Sequence, residues 1–365
     1  MLHNKITPEL VSQWSNLVAR NGLEPTQFPG WLQCIADSFD QYTDIQVCTS
    51  SDGDKINGVI PFFMGKDYIC GLPLKYINYA CNLISYHQGY LCNDDVSFDR
   101  LLLSSGKNTW DVFRINNIVE GSKLEHVLID MCNRNNWACN LIVGDNSPYI
   151  PINSDWDSFL ASKSRNFRYR IKRKEKGINK AGNVMVKWFL RNSDTEKLIH
   201  DIFTIEGRSW KVGAGMSIVH RPQEMRYYQS LIPYMDENNL LRANVLYLDN
   251  EPIAYSLCYE FKKKWGQLKT SFDDRYSSIS PGIYIVDVAI HKAFDNEAVE
   301  FDFLGPSMPH KLEWTNYTRK HNSYEIYNNT IPGYLVGRMK ALKYRNDLGR
   351  LIEAAKRLTD FNIAH

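Results

Sequence analysis

No apolar run in this sequence approaches the ~20 residues an α-helix needs to cross a bilayer, so no membrane-spanning helix is expected. The opening stretch "MLHNKITPELVSQW" has no apolar core of the kind a secretory leader carries, which points to a cytoplasmic location. The eight cysteines (Cys34, Cys48, Cys70, Cys81, Cys92, Cys132, Cys139 and Cys258) include no Cys-x-x-Cys pair and no Cys/His spacing suited to a metal. They are expected to be reduced, small and mostly buried, and no metal site is expected. The charge excess is small: 43 Lys and Arg against 41 Asp and Glu leave a net charge of +2. Global charge therefore names no polyanionic partner. No nucleic-acid reader motif is present, so DNA is not expected as a partner. No Ser-His-Asp or Cys-His constellation can be placed either, which removes the commonest routes through a covalent enzyme intermediate.

What is present is an ordinary globular composition, 44% hydrophobic and 23% charged over 365 residues. At ~150 residues per domain this predicts two domains. The 21 Tyr, 16 Phe and 9 Trp suit sheet-rich packing or a ligand cleft. Leu10, Trp14, Leu17 and Val18 fall on one helical face after Thr7-Pro8, a cap and first-turn proline. "DIQVCTSSDGDKINGVIPFFM" predicts a hairpin. "WDVFRINNI" and "WACNLIVGD" predict strands, with a helix over Ser122–Asn133 between them. "NSPYIPINSD", from Asn146 to Asp155, is rich in Pro, Asn and Ser and reads as the boundary. The expected domains are thus 1–150 and 151–365.

The second half repeats the grammar. A helix starts near Ser154, with Asp157 as a capping-box partner. "RANVLYLDNEPIAYSLCYEF" reads as strand, turn, strand, and "KWGQLKTSF" as a third strand. A small polar loop, a helix and a buried strand "AVEFDFLG" follow. The hairpins "SDGDKINGVIPFF" and "LDNEPIAYSLCY" share an acidic turn and then an apolar strand, so the fold is expected to be duplicated. Tyr334–Leu358 reads as a C-terminal helix, with Leu335, Met339, Leu342, Leu348 and Ile352 apolar among basic residues. The class is α/β (α+β): two lobes, each a mixed central sheet flanked by helices, and a C-terminal helical segment.

The loop "SFDDRYSSISPG" leads into a helix marked by Val286, Ala289, Ile290, Ala293 and Phe294. Ser280 can cap this helix and Pro281 suits its first turn. A helix N-terminus offers unsatisfied N–H groups and partial positive charge, and Gly282 with Ser277, Ser278 and Ser280 would let phosphates approach. A plain capped helix without any ligand gives the same pattern.

Four further features carry candidate chemistry. "SKSRNFRYRIKRKEKGINK", Ser162–Lys180, is a basic helix with Phe167, Ile171 and Ile178 on one face and Glu175 as its one acid. It is either a solvated amphipathic face or a surface for CoA, an acyl carrier protein, tRNA, an anionic precursor or, peripherally, a membrane. Asp302 alternates with Phe301 and Phe303 in an apolar strand, where a carboxylate is costly unless paired or functional. Lys311 follows within one loop and is its expected partner, as a structural ion pair or a reactive one. "IEGRSWKVGAG" sets Glu206, Arg208, Trp210 and Lys211 at a helix end. Trp210 most simply packs in the core; Glu206 or Arg208 can face an acceptor. His310, beside Lys311, is a weaker candidate base than the carboxylates, and His291 and His220 weaker still.

The order of strands, loop, helix and strand is that of the GNAT acyltransferase fold. The whole chain resembles the cellulose-biosynthesis CelD/BcsL group of acyltransferases, two-lobed GNAT relatives similar in turn to Fem peptidyltransferases. Five stretches carry the resemblance: "FPGWLQC", "SPYIPI", "SKSRNFRYRIKRKEK", "EGRSWKVGAG" and "FDFLGPSMPHKLEWTN". It implies an acyltransferase moving an acyl group from a thioester, acyl-CoA or acyl carrier protein, to the amine of an amino sugar or amino acid in polysaccharide or cell-surface synthesis. Acyl-CoA or the carrier thioester would be a co-substrate, with no permanently bound cofactor. Asp302, Lys311 and Glu206 would be catalytic, Ser277, Ser278, Ser280 and Gly282 would hold the donor, and Arg208, Trp210 and Trp314 would contact substrate. The loop lacks the glycine-rich arginine form of standard GNAT enzymes. Fem-like transfer from aminoacyl-tRNA, or a non-catalytic scaffold that binds a glycan precursor, are the alternatives. The first lobe shows no equivalent of the Ser280-Pro281-Gly282 junction and is expected to be degenerate.

Overall fold

The computed structural model describes residues 1–3, 5–40, 45–69, 71–80, 87–89, 91–93, 98–104 and 110–341. Cys70, Cys81 and residues 342–358 of the expected C-terminal helix lie outside them. In chain order the elements are β1 (Leu2–His3), α1 (Pro8–Asn21), α2 (Pro29–Ser38), β2 (Ile45–Asp52), β3 (Lys55–Ile69), β4 (Leu72–Tyr79), α3 (Phe98–Leu103), β5 (Val112–Val119), α4 (Lys123–Asn135) and β6 (Ala138–Pro151). There follow α5 (Trp156–Ala161), α6 (Arg165–Ala181), β7 (Val184–Phe189), α7 (Thr195–Gly207), α8 (Pro222–Glu237), β8 (Leu241–Leu248), β9 (Glu251–Phe261) and β10 (Lys264–Phe272). The last are α9 (Pro281–Asp295), β11 (Glu300–Asp302), α10 (Pro309–Leu312) and β12 (Thr318–Tyr327). Residues 331–341 are helical and form the described part of the C-terminal helix.

The chain forms two compact units. The first comprises Met1–Gly22, Asp44–Gly144 and His321–His365. Its strands β2, β3 and β4 pair antiparallel in turn. Strands β4 and β5 then pair in parallel over Tyr76–Asn78 and Val112–Arg114, and β12 lies antiparallel on β5 through His321–Tyr327. α1 covers β3. It forms as expected: Thr7 accepts from the Leu10 N–H, Pro8 opens the first turn, and Leu10, Trp14, Leu17 and Val18 are buried.

The second unit comprises Leu23–Thr43 and Asp145–Lys320. Strands β7, β8, β9 and β10 form an antiparallel run. β10 pairs in parallel with β11 over Lys264–Gly266 and Glu300–Asp302, and β6 lies antiparallel on β11 through Tyr149–Pro151. α9 makes the crossover between the parallel strands and covers β8, β9 and β10, with α5 and α6 packed on its outer side. Phe167, Ile171 and Ile178 of α6 join Val286, Ala289, Ile290, Ala293 and Phe294 of α9 in one core.

The two units share a plan: an antiparallel run, a helical crossover, and a parallel pair only three residues long. The duplication expected from the two hairpins is therefore present, as is the α/β class with two helix-flanked mixed sheets. The division of the chain differs from a cut at 150. Within each unit the parallel pair is flanked by a strand from the other half of the sequence. The segment read as a linker is strand to Pro151, because its prolines need only accept: the Phe303 N–H donates to the Pro148 carbonyl at 3.1 Å. Asp155, rather than Ser154, caps α5, accepting from the Ser158 N–H at 2.7 Å. α2 belongs to the second unit because Trp31 is fully buried there, its indole N–H donating to the Tyr227 hydroxyl of α8 at 3.0 Å.

Candidate functional site

Every candidate from the sequence falls in the second unit. β11 ends at Asp302, while β10 continues to Phe272. The chain leaves β11 through Leu304 (φ 46°) and Gly305 (φ 66°), both left-handed. A buried leucine in that region is strained, and such strain collects at sites that need a fixed geometry.

Asp302 is buried and fully engaged. One oxygen accepts from the Ser147 hydroxyl at 3.3 Å and the Leu304 N–H at 2.8 Å. The other pairs with Arg319 at 2.5 Å, and the same guanidinium also binds Glu300. Arg319 lies 3.6 Å above the ring of Tyr149. The expected partner was Lys311, but Lys311 donates to the carbonyls of Leu304 at 2.6 Å and Pro306 at 3.2 Å. The reason is the left-handed turn, which directs the Leu304 carbonyl at Lys311 and leaves Asp302 to β12. Burial pushes the Lys311 amine down to about 8, against the opposing field of Asp302. His310 is also pushed down, first by burial and then by Lys311.

Glu206 ends α7, fully buried. Its carboxylate accepts from Lys211 at 2.8 Å, Tyr255 at 2.7 Å, the Ile218 N–H at 3.2 Å and the Ser217 hydroxyl at 3.3 Å. Burial alone would raise its pKa, but Lys211 and these donors hold it below the usual carboxylate range. Lys211 also donates to the Thr270 carbonyl of β10 at 2.8 Å, so this cluster ties α7 to the free end of β10. Glu206 is thus saturated where it stands. Trp210 is not in the core: it is 50% exposed. Trp314 is the reverse, enclosed between Phe167, at 5.0 Å, and Trp156, at 6.4 Å, with no face free for substrate.

The loop between β10 and α9 is tied down by its own charges. Asp273 is fully buried and binds Arg275 at 2.7 Å; Arg208 and Arg275 both reach Glu251, at 3.8 and 3.2 Å. Ser277 and Ser278 are exposed. Ser280 does not cap α9 with its side chain; it sits in the left-handed region at φ 56°. Gly282 has a packing reason: a Cβ there would meet Phe272 Cδ1 at 2.6 Å. Its N–H has no acceptor among the described residues. A cleft of about 460 Å³ opens elsewhere, between α5 and α6, lined by Asp157, Leu160, Ala161, Arg168, Ile171 and Lys172.

Two residues escaped the sequence reading. Arg319 stands 17 residues beyond Asp302 on another strand, with no spacing to mark it. Asp287 of α9 has a carboxylate oxygen shielded from solvent and unbonded. Burial, with Glu175 nearby, raises it to about 7 despite Lys174. Among the described residues no group of three His, Cys, Asp or Glu is placed to hold a metal, and no helix is long and apolar enough to cross a membrane.

Residues 165–312 match the family profile of the acetyltransferase (GNAT) domain. A search of curated proteins finds no match. Among solved structures, a conserved protein of unknown function from Bacteroides thetaiotaomicron aligns with a TM-score of 0.60 at 12% identity, over 90% of this chain and 100% of its own. FemX aligns with a TM-score of 0.57 at 12% identity, over 92% and 99%. L-PGS from Bacillus licheniformis gives 0.55 at 10% identity, over 92% and 97%. At such identities the likeness is one of fold. The stretch that holds the parting strands, α9 and Lys311 is a GNAT-type acetyltransferase domain, and N-acyl transfer is the class of its chemistry.

Proposed function

We propose that this chain transfers an acyl group from a thioester donor to the amine of an amino sugar or amino acid, in the manner of the cellulose-biosynthesis group it resembles. The observation that supports this most is the parting of β10 from β11 inside the acetyltransferase domain, with α9 starting where β10 ends. Ligands of parallel sheets bind beyond the carboxyl ends of the strands. Past Gly266 the β11 side of β10 has no strand partner among the described residues, so its backbone can receive the donor's pantetheine arm in the place of a strand.

Lys311 stands at that end of β11 with an amine near neutrality, the condition for a general base. In this reading it takes the proton from the acceptor ammonium. The amine nitrogen then attacks the thioester carbon, the C–S bond breaks, the thiolate leaves with the proton that Lys311 took up, and the nitrogen loses its second proton to the freed Lys311 amine and on to solvent as the amide forms. Asp302, held by Arg319 and Ser147, fixes the Leu304 turn that aims Lys311; it is a positioning residue. Orientation and a matched base are sufficient for such a transfer.

Incubating the full chain with acetyl-CoA, a long-chain acyl-CoA or an acyl carrier protein thioester, and a panel of amino sugars and amino acids, tests this. The expected result is amide product by mass spectrometry with one thiol released per turn. The rate should climb with pH toward a plateau above about 8. Lys311→Met should lose that limb and ~10²-fold in kcat/KM. Product from aminoacyl-tRNA alone would replace this reading with the Fem-like one. No product from any donor would leave the scaffold.

A further inference from the structure

α6 carries eight cations and one tyrosine whose roles the structure separates. Arg168 donates to the carbonyls of Ala161 and Lys163, and Arg170 pairs with Glu313 at 3.1 Å. Lys174 is half-buried, near Glu313 and Asp287, and burial lowers its pKa. These side chains hold the helix in place. The remainder form a different set. Arg165, Tyr169, Lys172, Arg173, Lys176 and Lys180 recur every three or four residues and are all exposed. At ~100° per residue they fill one stripe of the helix, opposite the buried Phe167, Ile171 and Ile178. None of its five cations makes an ion pair among the described residues. Glu175 lies off the stripe. Tyr169 stands within it, 64% exposed. Lys172 also forms part of the wall of the 460 Å³ cleft, beside the apolar Leu160, Ala161 and Ile171.

The apolar side of this helix packs on Tyr276 and Ile279 of the donor loop. That loop has no spare cation: Arg208 and Arg275 are spent on Asp273 and Glu251. A free CoA brings several phosphates to such a loop, whose two arginines are already paired with carboxylates. A protein-borne pantetheine brings a single phosphodiester, and takes the rest of its affinity from protein surface. We propose that the α6 stripe docks an acidic carrier protein bearing the acyl group on a phosphopantetheine arm. Its acidic helix lies along Arg165, Lys172, Arg173, Lys176 and Lys180, and an apolar side chain of that helix seats in the α5–α6 cleft beside Lys172. Charge complementarity of this kind sets encounter and register. An RNA strand has no need of an apolar cleft, and a membrane surface would call for more apolar groups than Tyr169.

The inference rests on the acyl-transfer reading, and the experiment separates the two. The probes are an acetyl-loaded acyl carrier protein, acetyl-CoA, a tRNA acceptor minihelix and phosphatidylglycerol vesicles. The variants are Arg165→Glu/Lys172→Glu/Arg173→Glu/Lys176→Glu and the milder Lys172→Ala/Arg173→Ala/Lys176→Ala, each checked for an unchanged melting temperature. Carrier binding by calorimetry should weaken about tenfold or more in the milder variant. The difference should shrink as salt rises from ~0.05 to ~0.5 M. Transfer from acetyl-CoA at saturation should be unchanged. Equal carrier affinity in wild type and a folded variant overturns the docking site. So does a stripe-dependent preference for minihelix or vesicles. Stripe-dependent carrier binding with no transfer from any thioester keeps the docking site and removes the acyl-transfer reading. Transfer from acetyl-CoA without carrier binding does the opposite.

Discussion

Asp287 shows what a single buried oxygen implies. Its carboxyl is raised to about 7, while an unfolded aspartate titrates near ~3.9. Below ~4 both states hold the proton and the residue costs nothing. Between ~4 and 7 the unfolded chain releases it first, so stability falls as pH rises, and the loss is complete above about 7. Asp287→Asn should therefore match wild type at acid pH and be ~1–3 kcal/mol more stable at pH 8, a gain that grows through that window. Urea melts at a series of pH values measure it; a variant less stable at pH 8 would refute the account. The residue was hidden because "VDVAI" reads as an amphipathic helix with its acid toward solvent. Only α6, laid over it from 110 residues earlier in the chain, changes that environment. Asp302 was legible by contrast, since an acid in an apolar strand announces a partner. Which partner was not legible: Lys311 is near in sequence, but Arg319 arrives on β12.

At the scale of an element, α9 was placed correctly from periodicity, and the reason for its glycine was not. Gly282 abuts Phe272, so α9 can start against the end of β10 only if position 282 has no side chain. Gly282→Ala should cost ~1–3 kcal/mol through this overlap. Phe272→Leu in the same chain should restore at least half of the loss, a coupling that a double-mutant cycle reads directly. Additive effects would show that the contact is not the cause. Helices α1, α6 and α9 were legible because each buries a stripe at 3.6-residue spacing. The residues from 146 to 151 were not, because Pro and Asn signal a turn wherever they occur, whereas a strand tolerates them when the partner needs only their carbonyls.

At the scale of the whole molecule, the order of the chain and the order of the units disagree. A fragment of residues 151–365 lacks almost all of the strand that pairs with β11, and also α2 with Trp31. It should fail to give a cooperative thermal transition, although it contains the full acetyltransferase match. A sharp, reversible melt of that fragment by circular dichroism would overturn the reading of the units. The same exchange sets a clock on synthesis. β5 leaves the ribosome about 200 residues before the His321–Tyr327 strand that covers its far edge. At ~5–20 residues per second, that edge waits on the order of 10–40 s without its partner. An uncovered strand edge is a template for wrong pairing. The first part of this chain must therefore be kept from its neighbours on the polysome until the His321–Tyr327 strand has been made.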